Sequence, residues 1–424
     1  MIFAILLTLL TYILGLIFTK STWFGMILDW YKGFWVLLKF GMQMCIILVT
    51  GYALATTPPI QKFLRWLAGL PKTTAGAASL VAVVAVIAGL VNWGLGLIVG
   101  AIFALEVGRQ GYLNNRKFHY PLLVAAGYAG LAVWHGGLSG SAPLLVATKG
   151  HFLAKEIGII PVAKTLGSPL NITVAIVMII VIPLVFFLMA PRDESKIKVI
   201  QPELCEVQEE KGIAREEWTF ADKLENSVIL AWIIGLGGLI YIIYYFAKQG
   251  FALNLNIVNF TFLFVGIILH KRPIVYVRAV SDGVRGCAGI ILQFPFYAGI
   301  MGMMKFSGLV AVIAGWFVAI SSATTYPIFT YISACIVNIF VPSGGGQWAV
   351  QGPIIVKAAG ALHFSIPKTI MAMAYGDQWT NLFQPFWALP LLGICGVRAR
   401  DIMGYCMALM FIGIPMFIII LLLF

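Results

Sequence analysis

Polar residues are scarce in this chain, and those able to do chemistry gather at four places. Ser139, Gly140 and Ser141 stand in WHGGLSGSAPL (Trp134–Leu144), and Ser168, Asn171 and Thr173 in TLGSPLNIT (Thr165–Thr173). Ser343, Gly344, Gly345, Gln347 and Trp348 stand in VPSGGGQWAVQGP (Val341–Pro353). Asp377, Gln378, Trp379, Thr380, Asn381 and Gln384 stand in GDQWTNLFQPFW (Gly376–Trp387). Hydroxyls, amides and the N–H groups exposed where a helix starts after a glycine-rich break suit a single carboxylate. No Arg or Lys lies inside either glycine-serine string, so a multiply charged anion would go unneutralised. A Na⁺ ion near Ser139, Asn171, Ser343 and Asp377 would add positive charge. Asp377 is the sole carboxylate of the four segments. An acid at membrane depth is costly and marks an ion or proton path, so Asp377 is the candidate to ligate Na⁺ or carry a coupling proton. Trp134, Trp348, Trp379 and Trp387 offer walls for a short alkyl chain. His135 reads as a packing or capping residue, and Lys39 and Lys164 as snorkelling or paired side chains.

These residues need elements that hold them at membrane depth, and the composition supplies that setting. Of 424 residues 61% are hydrophobic and 10% charged, against roughly 45–50% and 25% in soluble domains. Too little polar surface is left to cover a water-soluble enzyme of this size. The net charge of +12 comes from basic residues scattered singly between apolar runs, a pattern of span flanks rather than of nucleic-acid binding. Six cysteines without a CxxC spacing read as small hydrophobes, and no cofactor is implied. Ile2–Phe18 lacks a basic leader and a small-residue cleavage site, so a retained span is expected there.

About 20 apolar residues cross a bilayer as a helix. That ruler gives spans at Ile2–Phe18, Phe34–Ala55, Ser227–Ala247, Phe251–His270 and Ile402–Phe424, with longer apolar stretches at Ala75–Val107 and Cys287–Ser322. Pro191–Glu225, with six Lys/Arg against ten Asp/Glu, is an extramembrane linker at the midpoint. On either side of it one order recurs: a span, a proline-led amphipathic stretch, a long apolar stretch, Tyr-Pro, a glycine-serine string and a broken span. From Pro121 to Ser139 is 18 residues, and from Pro327 to Ser343 is 16. The expectation is an all-α polytopic membrane protein of two inverted repeats, with about eleven spans plus two re-entrant hairpins. An N-terminal span and loop (1–33) precede repeat 1 (34–247), which holds a hairpin at 121–150, a broken span at 157–190 and the linker at 191–225. Repeat 2 (251–424) holds a hairpin at 327–358 and a broken span at 367–395. Irregular backbone at membrane depth survives only around a cavity, and paired breaks in two halves point to a transporter site.

The three strings at Trp134–Leu144, Val341–Pro353 and Gly376–Trp387, together with VNWGLGLIVGA at Val91–Ala101, resemble the bacterial short-chain fatty acid transporter family over nearly the whole chain. That resemblance implies small monocarboxylates such as acetoacetate and butyrate as substrates, and a multi-pass protein of the bacterial inner (cytoplasmic) membrane. The layout is also similar to the wider ion transporter superfamily, which implies a scaffold, a mobile transport domain with elevator-like alternating access, cation symport and a homodimer. The superfamily's Ser-Asn-Thr tip does not stand here, so Na⁺ ligands do not carry over residue by residue. Two rival readings are an intramembrane serine protease using Ser139, from the Gly137-Leu138-Ser139-Gly140 string, and a passive anion channel.

Overall fold

The structure is a computed structural model that describes residues 2–205, 218–383 and 387–424. Among the described residues all regular structure is helical, without a strand. Among those residues eight helices are long and apolar enough to cross a membrane, and Ala4–Phe18, Leu255–His270, Leu309–Ile320 and Tyr326–Ile339 are shorter apolar helices. The expected all-helical, multi-pass architecture is met at this level. Pro169–Leu188 shows the physical reason. Ile172, Ile176, Ile180 and Leu184 stay at least half exposed at helical spacing, while Asn171, Val174, Met178 and Ile182 are buried. An uninterrupted exposed apolar stripe of that kind faces lipid.

Thr74–Val91 and Trp93–Leu113 fold as a helical hairpin about one residue, Asn92. The Asn92 N–H donates to Ala88 O and closes the first helix, while its side-chain oxygen accepts the Leu95 N–H at 2.9 Å and caps the second. Both feet stand on the face where the polar linker begins, called the linker face below. There Thr74 Oγ1 accepts the His119 N–H, and Gly111 packs on Phe118. The Tyr120 N–H donates to Lys198 O at 2.8 Å, and Arg109 Nε donates to Leu204 O at 2.6 Å, strapping the described start of the linker across these feet. Burial, with Lys198 beside it, holds the His119 imidazole below its ordinary value. The neutral ring accepts the Lys198 N–H on Nδ1 and meets Tyr405 OH through Nε2 at 2.9 Å.

From the linker face Tyr120–Tyr128 runs inward as an α-helix, tightens into 3₁₀ turns at Ala129–Ala132 and Trp134–Gly136, unwinds, and resumes as a helix at Ser141–Val146. It lies against the hairpin through glycines on both sides. A Cβ on Gly100 would sit 2.2 Å from Gly127 O, and one on Gly130 would sit 2.5 Å from Ala85 O. Lipid supplies no hydrophobic drive between helices, so backbone contact through small residues carries the packing.

In the second half Tyr326–Phe340 and Gly344–Ala361 form a hairpin that stands on the opposite face. Gln347 Nε2 donates to Ala334 O at 2.9 Å and Gln351 Nε2 to Ser333 Oγ at 2.8 Å, and Tyr326 OH donates to Ile355 O. Ile366–Thr380 follows Tyr326–Phe340 in the same direction, with Gly376 packed against Tyr331 O. Ala388–Cys395 then leads to the linker face, where Tyr120 OH donates to Cys395 O at 2.9 Å. The stretches 120–148 and 366–395 are therefore antiparallel along their length. Tyr128 OH reaches Asn381 O at 2.9 Å, His135 N–H reaches Gln378 Oε1 at 3.0 Å, and Ser141–Val146 packs on Ile366–Thr380 beyond.

Two sequence expectations change here. The segment expected as a hairpin over 121–150 takes a different path: Ser141–Val146 packs on Ile366–Thr380 and Gly344–Ala361, and the chain carries on to the opposite face. There Glu156 lies 3.6 Å from Lys305, and Phe152 and Leu153 share a crevice with Pro353. Leu38–Ala55 and Leu255–His270, read as counterparts in the two repeats, lie side by side and parallel. Gln43 Nε2 donates to Asn256 Oδ1 at 2.7 Å, and His270 Nε2 meets Ala53 O at 2.7 Å. Elements related by inversion run in opposite senses, so these two helices are not such a pair. Trp23–Phe34 and Leu38–Ala55 instead run antiparallel to the stretch 273–307, with Gly33 backed onto Gly302 and Phe40 onto Phe294. In the segment 157–190 a 3₁₀ turn at Val162–Lys164 precedes a helix from Pro169 capped by Ser168.

The glycine seam gives a direct check. Gly127→Ala should cost about 1–3 kcal/mol through overpacking, whereas Gly393→Ala, with no atom within 4 Å of the added Cβ, should be neutral. Unfolding of the purified proteins in mixed detergent micelles reads both; equal stability of the two variants would mean that the seam yields.

Candidate functional site

The two antiparallel broken stretches cross at their breaks, and the contact there is between two ionisable side chains. His135 Nδ1 lies 2.7 Å from Asp377 Oδ2, and both side chains are fully buried. The Ala142 N–H donates to His135 Nε2 at 3.0 Å. That nitrogen is therefore an acceptor and carries no proton, so the single ring proton sits on Nδ1 and is donated to Asp377. An imidazolium would set two N–H groups against each other at Ala142. Asp377 Oδ1 is buried with no partner. The pair is thus a neutral imidazole holding one oxygen of a buried carboxylate, with the other oxygen unengaged.

Around this pair, side chains satisfy the backbone that the breaks leave without helical partners, as a membrane interior demands. Gln378 Oε1 accepts both the His135 and Gly136 N–H groups, at 3.0 and 3.1 Å. Asn171 Nδ2 donates to Gly136 O at 2.8 Å and Leu166 O at 2.9 Å, and its Oδ1 accepts Tyr375 OH at 3.1 Å. Ser139 Oγ accepts the Trp93 N–H at 2.9 Å, which fastens the break to the tip of the first hairpin. Gly344, at the tip of the second hairpin, faces the imidazole so closely that a Cβ would lie 2.5 Å from His135 Cε1. Both hairpin tips therefore end at this crossing.

The expected site residues divide between those that meet there and those that work elsewhere. Ser139, Gly140, Ser141, Asn171, Ser343, Gly344, Asp377 and Gln378 belong to the crossing or the tips that touch it. Ser141 Oγ rests 3.2 Å from Met44 Sδ, and Ser343 caps its helix by accepting the Gly346 N–H at 3.4 Å. Ser168 accepts the Asn171 N–H as a cap, and Thr173 lies one turn along, partly exposed. Gly345 is pressed against Phe40, Gln347 braces the second hairpin, and Trp348 is buried beside Gly352. Trp379 donates to Met410 O at 2.8 Å as a packing residue; Thr380 and Asn381 both accept from Asn338 Nδ2. Gln384 lies outside the described residues. Among the described residues no cluster of three His, Cys, Asp or Glu side chains suits a metal ion, and no hydrogen bond joins Ser139 to an imidazole.

Sequence reading missed one feature: His135 is a partner of Asp377 across 242 residues of chain, a pairing that no local spacing signals. The long apolar stretch at Ala75–Val107 is two helices that turn at Asn92, whose side chain caps the second. Beside the crossing lies a small cavity walled by Met44, Trp93, Leu131, Trp134, Phe294 and Ser343 among others, without a Lys or Arg.

Comparison with known proteins places this geometry. The family profile described as short chain fatty acid transporter matches residues 1–424. A relative from Escherichia coli (strain K12) that carries the same family name is 44% identical over 415 residues, 98% of this chain and 93% of its own. Another from Haemophilus influenzae is 44% identical over 428 residues, 99% of this chain and 94% of its own. Among solved structures, the Alcanivorax borkumensis YdaH transporter is similar in fold, with a TM-score of 0.61 at 15% identity over 99% of this chain and 95% of that one. These relatives are named as transporters, and the chain is not an enzyme. On the match over its whole length, the chain belongs to the short-chain fatty acid transporter family.

Proposed function

We propose that this protein is a secondary active transporter of short-chain monocarboxylates such as butyrate or acetoacetate, coupled to a proton, in the bacterial cytoplasmic membrane. The observation that carries this reading is Asp377 Oδ1, an unpartnered buried carboxyl oxygen on the residue that holds His135, whose ring stacks on Trp134 in the wall of a small aromatic cavity lined by no basic side chain. A substrate anion entering that cavity would meet a second negative charge in a medium of low dielectric, where like charges repel strongly. A proton on Asp377 removes the repulsion, so anion and proton arrive together. Na⁺ is the second choice of coupling ion, because the side-chain oxygens of Ser139, Asn171 and Ser343 already accept hydrogen bonds.

The architecture we propose for this activity is inverted repetition in a shifted register. The hairpin at 74–113 corresponds to that at 326–361, the broken stretch at 120–148 to that at 366–395, and Pro169–Leu188 to Ala399–Leu423. The two hairpins stand on opposite faces and meet at their tips, which supports re-entrance from both sides. In this reading the hairpins and broken stretches move as one body against Leu38–Ala55 and its neighbours, an elevator working within a homodimer in the lipid bilayer.

Purified protein in liposomes tests the reading. Wild type should accumulate butyrate above its own gradient when a pH gradient is imposed, and succinate should compete poorly; uptake that never exceeds the substrate gradient would mean a channel. Asp377→Asn should lose proton-driven accumulation by at least tenfold while inserting normally, and undiminished accumulation would remove the coupling role. A Met44→Cys/Ser141→Cys disulfide, joining the two bodies, should stop uptake until it is reduced; full transport in the oxidised protein would rule out an elevator.

A further inference from the structure

The cavity beside the crossing has a donor chemistry that the hydroxyls of the tips do not explain. Trp93 and Trp134 both line it, with ring centroids 6.0 Å apart and planes at 60°. Their side chains are no more than 5% exposed, and neither indole N–H has a hydrogen-bond partner. Of the other indoles near the breaks, Trp348 is also unpartnered but does not line this cavity, and two are bonded. Trp379 donates to Met410 O and Trp387 to Pro342 O. An indole nitrogen is a donor only, and a buried donor left unpaired is costly, so the group these two await is an acceptor. The Asn92 side-chain N–H₂, adjacent to Trp93, is likewise buried without a partner. The rest of the wall is apolar, with Leu131, Phe294 and Met44, and two long helices begin at the cavity with Trp93 and Gly344.

We infer that the indole N–H groups of Trp93 and Trp134 bind the substrate carboxylate, one from the tip of the first hairpin and one from the break beside it, with the alkyl chain against Leu131 and Phe294. This assignment rests on the transport reading above and gives its binding chemistry. Neutral donors fit a monoanion: they orient it without a fixed positive charge that would hold it through the cycle. Trp134 also stacks on His135, with centroids 4.4 Å apart and planes at 8°. Asp377 meets the same imidazole at its Nδ1 edge, so His135 touches both the acid and one of the two indoles.

Trp93→Phe and Trp134→Phe keep an aromatic ring and remove the donor, and butyrate uptake into liposomes reads the effect. Each should raise KM about tenfold with little change in kcat. Trp30→Phe should leave KM unchanged, since its unpartnered indole N–H lies away from the cavity, against Gly299. Wild-type uptake with unaltered KM in both cavity variants would overturn the assignment alone; no butyrate uptake by wild type under any gradient would overturn the transport reading and this assignment with it. Should the variants fail to fold, 5-fluorotryptophan in the wild-type protein provides the second measurement. Butyrate should shift fluorine resonances that butyramide leaves in place, and identical spectra with and without butyrate would also overturn the assignment.

Discussion

A helix interrupted inside a membrane leaves N–H and C=O groups that neither lipid nor the helix can satisfy, and that constraint shapes the centre of this molecule. Near Gly136 the groups are taken up by side chains from distant segments: Gln378 accepts two N–H groups, and Asn171 donates to two carbonyls. The same bonds that satisfy the break therefore fix where Ile366–Thr380 and Pro169–Leu188 lie. The His135–Asp377 contact, at 2.7 Å, is the ionisable member of this set. Glycine backbones pressed together at Gly100 and Gly127 then set how closely the first hairpin can approach. Satisfying the break and positioning the site are one arrangement.

Much of this was legible in the sequence because membranes make polarity conspicuous. Asp377 stood out as a lone acid, and Ser139, Asn171, Ser343 and Gln378 as polar residues in apolar surroundings; the structure brings all of them to the crossing or to the tips around it. What failed was connectivity. Tyr-Pro followed by a glycine-serine string occurs twice, yet one copy opens a hairpin and the other a crossing. The difference lies in the partner each second arm finds: Gly344–Ala361 pairs back on Tyr326–Phe340, whereas Ser141–Val146 packs on Ile366–Thr380 and Gly344–Ala361. Such long-range choices leave no periodicity in the chain. For the same reason His135 read as a packing residue, since its role depends on a residue 242 positions away.

Several polar residues in the motifs are occupied with structure rather than available to a ligand. Ser168 caps a helix, Gln347 ties the arms of the second hairpin, and Thr380 receives Asn338. Motif membership in a membrane protein thus mixes two demands, satisfying backbone and binding substrate. Unpartnered donors and acceptors help separate them, and Asp377 Oδ1 and the indoles of Trp93 and Trp134 are among the buried groups that nothing in the protein has claimed.

The Ala142 N–H that occupies His135 Nε2 has a consequence for stoichiometry. Under the proton coupling proposed above, the dyad has one exchangeable proton, on Asp377, because Nε2 is already taken by the Ala142 N–H. One proton travelling with one monoanion moves no net charge. Under that scheme the transmembrane voltage neither drives nor opposes the cycle, and the limit of accumulation is set by the acidity difference across the membrane alone.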